Sequence, residues 1–445
     1  MNEICEIVLS QKENNKINVR ENCRGRATTI FLDGLHYLKG FTEYHYSPQA
    51  SNAEVAKSIA QIKQKARITR DKPVRIIQDI TVRMSQEYHT YMPSSNSLCS
   101  RIKRVRRSEM PPQPQTLEEI NIPDFLQFTF NGDRFLVRDF AVGENRILLF
   151  TTQTNIQHLS QAPFWMMDGT FKTVPVIFSQ LYTIHAPVEG DNSRVLPLVY
   201  SLVTSKSVEI YRCLFEELLD FVIENNIDLQ PSVILTDFEQ ATIIASRLVF
   251  PRIRNKGCFF HLGQSGWRKI QSLGLATRYG DDEQFSLMLR HLFALAFLPS
   301  DEIPEAFNAL KLEMPPEADE VVKWFEEIYM HGKICRHLRN SNTIRSDPLF
   351  PPQLWSVFDS IETGVPRTQN IAEAWHRRWD ILLGQNHVEQ QSVELQIECI
   401  IHGKQRPPTK KALIDREKRI MTICNDRENR SLMEFLCGIA HNLLL

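Results

Sequence analysis

The stretch Phe164-Trp-Met-Met-Asp168-Gly-Thr170 and the later stretch Ser232-Val-Ile-Leu-Thr236-Asp237 have the same grammar: a short apolar run that ends on an aspartate. Apolar runs of four or five residues without alternation read as strands buried on both faces. A carboxylate at the end of such a strand is costly to desolvate unless a cation or a hydrogen-bond donor offsets it. Two of them suggest a shared metal site. Each alone is better explained as the cap of the turn or helix that follows.

Working outward, residues 134–138, 146–151, 180–186 and 195–203 carry β-branched and apolar residues at strand length, and 208–223 has helical spacing. A helix over 239–249 and a short strand near 256–260 follow. The order describes an α/β core with a mixed sheet. Residues 262–360 turn strongly helical, over 284–298, 305–312 and 318–329, and read as an insertion, with further helices after Pro366.

Upstream, residues 1–50 combine short β-type stretches with two cysteines and form a small module. Val55, Ile59, Ile62 and Ala66 set a helix that Pro73 ends; residues 74–88 and 98–107 are two more. Lys63, Lys65, Arg67 and Arg70, with Arg101, Lys103, Arg104, Arg106 and Arg107, give these helices basic faces. Such faces can neutralise phosphates or simply be solvated. Pro111-Pro-Gln-Pro-Gln115 is a linker.

The 445 residues are 42% hydrophobic and 24% charged, which rules out a disordered chain and predicts two to four domains. The net charge is -1, but it is unevenly spread. Residues 1–110 hold 19 Lys and Arg against 11 Asp and Glu, a net of +8, leaving -9 for the rest. A basic front part fits a polyanionic partner, with nucleic acid ahead of a merely solvated surface. Nine cysteines without regular spacing do not form a disulfide framework and suit a reducing compartment. No apolar run approaches the roughly 20 residues that span a bilayer, and the N-terminus has no secretory pattern, so a soluble intracellular protein is expected, with no membrane partner. The run Arg101-Ile-Lys-Arg-Val-Arg-Arg107 is compatible with nuclear import.

A third acid is the remaining requirement of a two-metal site. In Pro366-Arg-Thr-Gln-Asn370-Ile-Ala-Glu373-Ala-Trp-His376, the spacing of three puts Asn370, Glu373 and His376 along one side of a helix. The segment 164–175, Gln180-Leu-Tyr-Thr-Ile-His185, Thr236-Asp-Phe-Glu239, Cys258-Phe-Phe-His261 and the 367–376 segment together resemble the transposase domain of Mutator-like elements over residues 160–385. The N-terminal module is similar to a degenerate FLYWCH-type zinc finger.

The resemblance implies a ribonuclease H-like core with an acidic triad of Asp168, Asp237 and Glu373 holding Mg²⁺ (or Mn²⁺), and DNA strand cleavage and transfer as the activity. It implies domains at 1–50 (finger-like), 51–115 (basic helical DNA-binding segment and linker), 116–261 (first part of the core), 262–360 (helical insertion) and 361–445 (the Glu373 helix and C-terminal helices). The implied partner is double-stranded DNA, as transposon ends and target, with a homo-oligomer compatible and the nucleus as the location. Cys258 and His261 match the family's C-x-x-H feature, for which structural packing of the thiol and a core or phosphate contact of the imidazole are the plainer reading. For zinc in the first module, Cys5, Cys23, His36 and His45 are the candidate ligands, against a metal-free remnant. A domesticated, inactive DNA-binding regulator of transcription or chromatin is the rival to an active transposase.

Overall fold

The structure, a computed structural model, describes residues 16–18, 26–32, 35–41, 50–69, 71, 73–108, 114–129, 131–171, 174–188, 194–337, 343–382 and 411–443. The chain divides into two compact units, residues 1–113 and 114–445.

In the first unit, strands β1 (Lys16–Asn18), β2 (Arg26–Leu32) and β3 (Leu35–Phe41) form an antiparallel meander. Helices Ala50–Ile68, Pro73–Thr81 and Ser95–Ser108 pack around Ile62, Ala66, Ile76, Ile77, Leu98 and Ile102. The middle helix stops at Thr81, short of the span expected from its sequence, and a 3-10 turn over Gln86–Tyr91 follows. The small core explains why so short a bundle can stand: each helix brings a stripe at spacing three or four and loses it from water on the same side.

The second unit is built on a seven-stranded mixed sheet. Its strands are β4 (Leu136–Val142), β5 (Asn145–Phe150), β6 (Phe164–Thr170), β7 (Gln180–Val188), β8 (Arg194–Val203), β9 (Val233–Thr236) and β10 (Arg254–Gly257). The order across the sheet is β10-β9-β6-β7-β8-β5-β4. β6, β9 and β10 run parallel, and β6-β7-β8-β5-β4 alternate antiparallel. Central β7 is buried along its whole length, as a strand covered on both faces must be. Helices Val208–Glu224 and Gln240–Val249 supply the crossovers around β9.

Two expectations change here. The strand near 256–260 ends at Gly257, and a helix begins at Phe259 and runs to Ser272. The apolar Cys258-Phe-Phe run hid this break, since it continues the strand's pattern. The insertion is also not purely helical. Beside helices Glu283–Ala294, Ile303–Glu313 and Asp319–Phe325 it holds a hairpin, β11 (Ile334–His337) and β12 (Thr343–Arg345). Its helices share a second core with the C-terminal helices Lys411–Asn425 and Leu432–Ala440, around Phe293, Phe297, Phe307, Phe325, Trp355 and Phe435. Among the described residues no helix is long and apolar enough to cross a membrane.

Candidate active site at the strand ends

β6 and β9 are adjacent and parallel, with Met167 opposite Thr236, so Asp168 and Asp237 come next in register on neighbouring strands. Neighbouring strands lie about 4.8 Å apart, which brings the two carboxylates into electrostatic reach. Asp168 is buried. Its Oδ1 accepts from the Gly169 N–H at 3.0 Å, and its Oδ2 lies 2.9 Å from His376 Nδ1. Burial pushes the Asp168 pKa up, but the hydrogen bond and charge of His376, aided by His261, outweigh it and hold the carboxyl below its ordinary value.

Asp237 moves the other way. Burial and the nearby charges of Glu239 and Asp168 push it up to about 7, against a hydrogen bond from the Glu239 N–H and the charge of Lys206. That N–H donates to Oδ1 at 3.1 Å, a bond across the turn that leads into helix Gln240–Val249. Glu239 is itself held, accepting from Tyr211 OH at 2.7 Å and lying 3.5 Å from Lys206 Nζ.

Helix Asn370–Leu382 brings the third acid from far along the chain. Buried Gln369, just before it, pins the helix to the sheet: its Nε2 donates to Met167 O at 2.6 Å and to Leu235 O at 2.8 Å, one carbonyl from each acid-bearing strand. The Gln369 N–H donates to Cys258 Sγ at 3.2 Å. Cys258 is buried, and burial pushes its thiol up to about 12. Glu373 Oε1 stands 3.5 Å from His261 Nε2. Asn370 is exposed at the helix start.

Three residues here lie within segments quoted above but had no role of their own in the sequence. Gln369 carried no signal beyond its neighbourhood to Asn370. Thr183 pairs with Asp168 across β6 and β7, and its hydroxyl lies 3.1 Å from Asp168 O, 3.0 Å from His376 Nε2 and 2.9 Å from His185 Nε2. His185 is fully buried, and burial first, then the neighbouring His376, takes its pKa down to about 3, so it is neutral. As placed, the imidazoles of His376 and His261 stand against Asp168 and Glu373. Among the described residues no three His, Cys, Asp or Glu side chains converge into a ready ligand set.

Residues 164–265 match the family model of the MULE transposase domain. The MULE match spans β6 to the helix that carries His261, and so includes Asp168, Asp237, Glu239 and Cys258. A transposase domain implies interaction with DNA in general. No curated protein matches the chain.

The other expected residues fall elsewhere. Cys5, Cys23, His45 and Arg70 lie outside the described residues, and His36 sits in β3 opposite Phe31. Lys63, Lys103 and Arg104 are exposed on the helical bundle, while Lys65 pairs with Asp79 at 2.7 Å. Arg67 is exposed, Arg101 half-buried, and Arg107 belongs to helix Ser95–Ser108. Arg106 is turned inward and buried, donating to Ala66 O at 3.3 Å, Thr69 O at 3.0 Å and Asp71 O at 2.7 Å. Its guanidinium closes the C-terminal end of helix Ala50–Ile68, where carbonyls lack partners within the helix.

Proposed function

We propose that this chain is a DNA transposase of the Mutator-like type, with a ribonuclease H-like core that cuts and joins DNA strands using Asp168, Asp237 and Glu373. The observation that carries this reading is the pinning of the Glu373 helix, through Gln369, onto the ends of the two strands that bear Asp168 and Asp237. The order β10-β9-β6-β7-β8, with β7 antiparallel to both neighbours, supports the core assignment.

The donor set suits Mg²⁺ or Mn²⁺, because these cations prefer carboxylate oxygens and Asp237 is held among like charges that a divalent cation would relieve. Asp168 and Asp237 would hold it, with Glu373 completing the set. When bound, such an ion supplies Lewis-acid charge for in-line displacement at a phosphodiester. The chain's own groups have separable tasks: Gln369 fixes the helix, His376 and Thr183 orient Asp168, and Glu239 with Tyr211 sets the charge around Asp237. Double-stranded DNA is the partner, met partly by the exposed Lys63, Lys103 and Arg104, and the nucleus is the place of action. Zinc in the first module rests on sequence resemblance alone.

A second reading, a DNA-binding regulator that no longer turns over, is favoured by the His376 contact on Asp168 and the approach of His261 to Glu373, which occupy acids a metal needs. Labelled duplex and single-stranded DNA and RNA, incubated with Mg²⁺ or Mn²⁺ and wild type or Glu373→Gln, separate the two. Metal-dependent DNA cuts with 3′ hydroxyl ends, lost in the variant, are expected. Salt-sensitive DNA binding without cutting by either protein would move the assignment to the regulator.

A further inference from the structure

The hairpin β11–β12 in the helical insertion is, among the described residues, a two-stranded sheet without a third strand. Lys333, Ile334, Cys335, Arg336, Thr343 and Ile344 are all exposed, the isoleucines at 44% and 47%. In register, Ile334 stands opposite Arg345 and Arg336 opposite Ile344, so each pair combines a cation with an isoleucine. An isolated ribbon of this kind is only marginally stable in water, so its shape must be held from its root.

The root is built for that. Glu326, buried in the π turn Glu326–Met330, binds Lys311 Nζ at 2.7 Å, Arg345 at 3.1 Å and His331 Nδ1 at 3.2 Å. Arg345 also donates to Gly332 O at 2.9 Å, and Lys333 and Ser346 exchange two hydrogen bonds. Gly332 has φ +75, and a Cβ there would stand 1.9 Å from Ser346 O, so only glycine permits this close crossing of the two strands.

Charge then points to the partner. Residues 114–445 sum to -9, yet within them residues 328–346 hold four Lys and Arg and no Asp or Glu. Solubility alone does not call for two isoleucines placed among these cations. The DNA major groove admits a two-stranded ribbon and offers phosphates at its rims and thymine methyls on its floor, which match cations flanking small apolar side chains.

We propose that the β11–β12 ribbon is a duplex-DNA contact, with Lys333 and Arg336 on phosphates and Ile334 and Ile344 toward the groove. It rests on the DNA reading above and extends it to a surface outside both the acidic site and the basic helices. The test is fluorescence anisotropy of the full chain with labelled duplex DNA across a salt series, for wild type, K333A/R336A, K333R/R336K and, on the helical bundle, K63A/K103A/R104A. The ribbon alanine pair should weaken binding about tenfold at low salt and lower the salt slope by about 2, roughly 0.9 per lost phosphate contact, while K333R/R336K keeps wild-type behaviour. Unchanged affinity and slope for K333A/R336A, with loss in the helical variant, would overturn the ribbon contact and leave the DNA reading intact. Absence of salt-sensitive binding by wild type would overturn both.

Discussion

Asp237 closes β9 with two other acids beside it, and its pKa near 7 states the cost of that placement. Because the folded-state value lies above the unfolded value near 3.9, the folded protein binds this proton more tightly. The associated stability is full below pH 4 and is lost as pH rises toward 7. Asp237→Asn removes the loss, so above pH 7 the variant should be more stable than wild type by on the order of 2 kcal/mol, with the gap closing near pH 4. Thermal melts of both proteins from pH 4 to 8 check this, and equal melting temperatures at pH 8 would refute the strain. At this scale the sequence shows which residues are acids and which strands carry them, because Phe164–Thr170 and Val233–Thr236 announce themselves as apolar runs. It does not show Thr183, His185 or Gln369, whose partners lie across the sheet or far along the chain. Arg106 did leave a trace: it stands four residues after Ile102, on the buried stripe of its helix, and a cation on that stripe needs an inward partner.

Elements show the same division. The helix Val208–Glu224 and strands β5 to β9 are legible from periodicity, since each has one pattern and one environment. The β11–β12 hairpin is not, because isoleucines alternating with Lys, Arg and Thr present no continuous apolar face. The helix Phe259–Ser272 is masked by a phenylalanine pair that suits either state. The most consequential joint between elements is Gln369, one amide shared between two strand carbonyls. Gln369→Ala leaves both carbonyls buried without that donor, a cost of about 2 kcal/mol, and frees the Glu373 helix from the sheet. Metal-dependent cleavage should fall more than tenfold while the protein remains folded by circular dichroism. Cleavage at the wild-type rate would show that the helix is held by its other contacts, such as the Phe259 N–H to Arg367 O bond at 2.9 Å.

Across the whole molecule, the charge is divided between the two units: the first 110 residues carry +8 and the remainder -9. Polyelectrolyte binding follows the basic part, so the protein beginning at Pro114 should bind duplex DNA at least about tenfold more weakly than the full chain and with a flatter salt slope. Equal slopes would move the main DNA surface into the second unit. The amide bridge from Gln369 to Met167 also has a temporal side. It joins residues 202 positions apart, and Thr183 meets His376 over 193. At about 5–20 residues per second, roughly 10–40 s of synthesis separate the two halves of that joint. Through this interval the nascent chain has made both aspartate-bearing strands but not yet the helix that carries Glu373. Order of synthesis thus fixes an order of assembly: the contacts that hold this helix to the sheet form only on a chain made at least as far as His376.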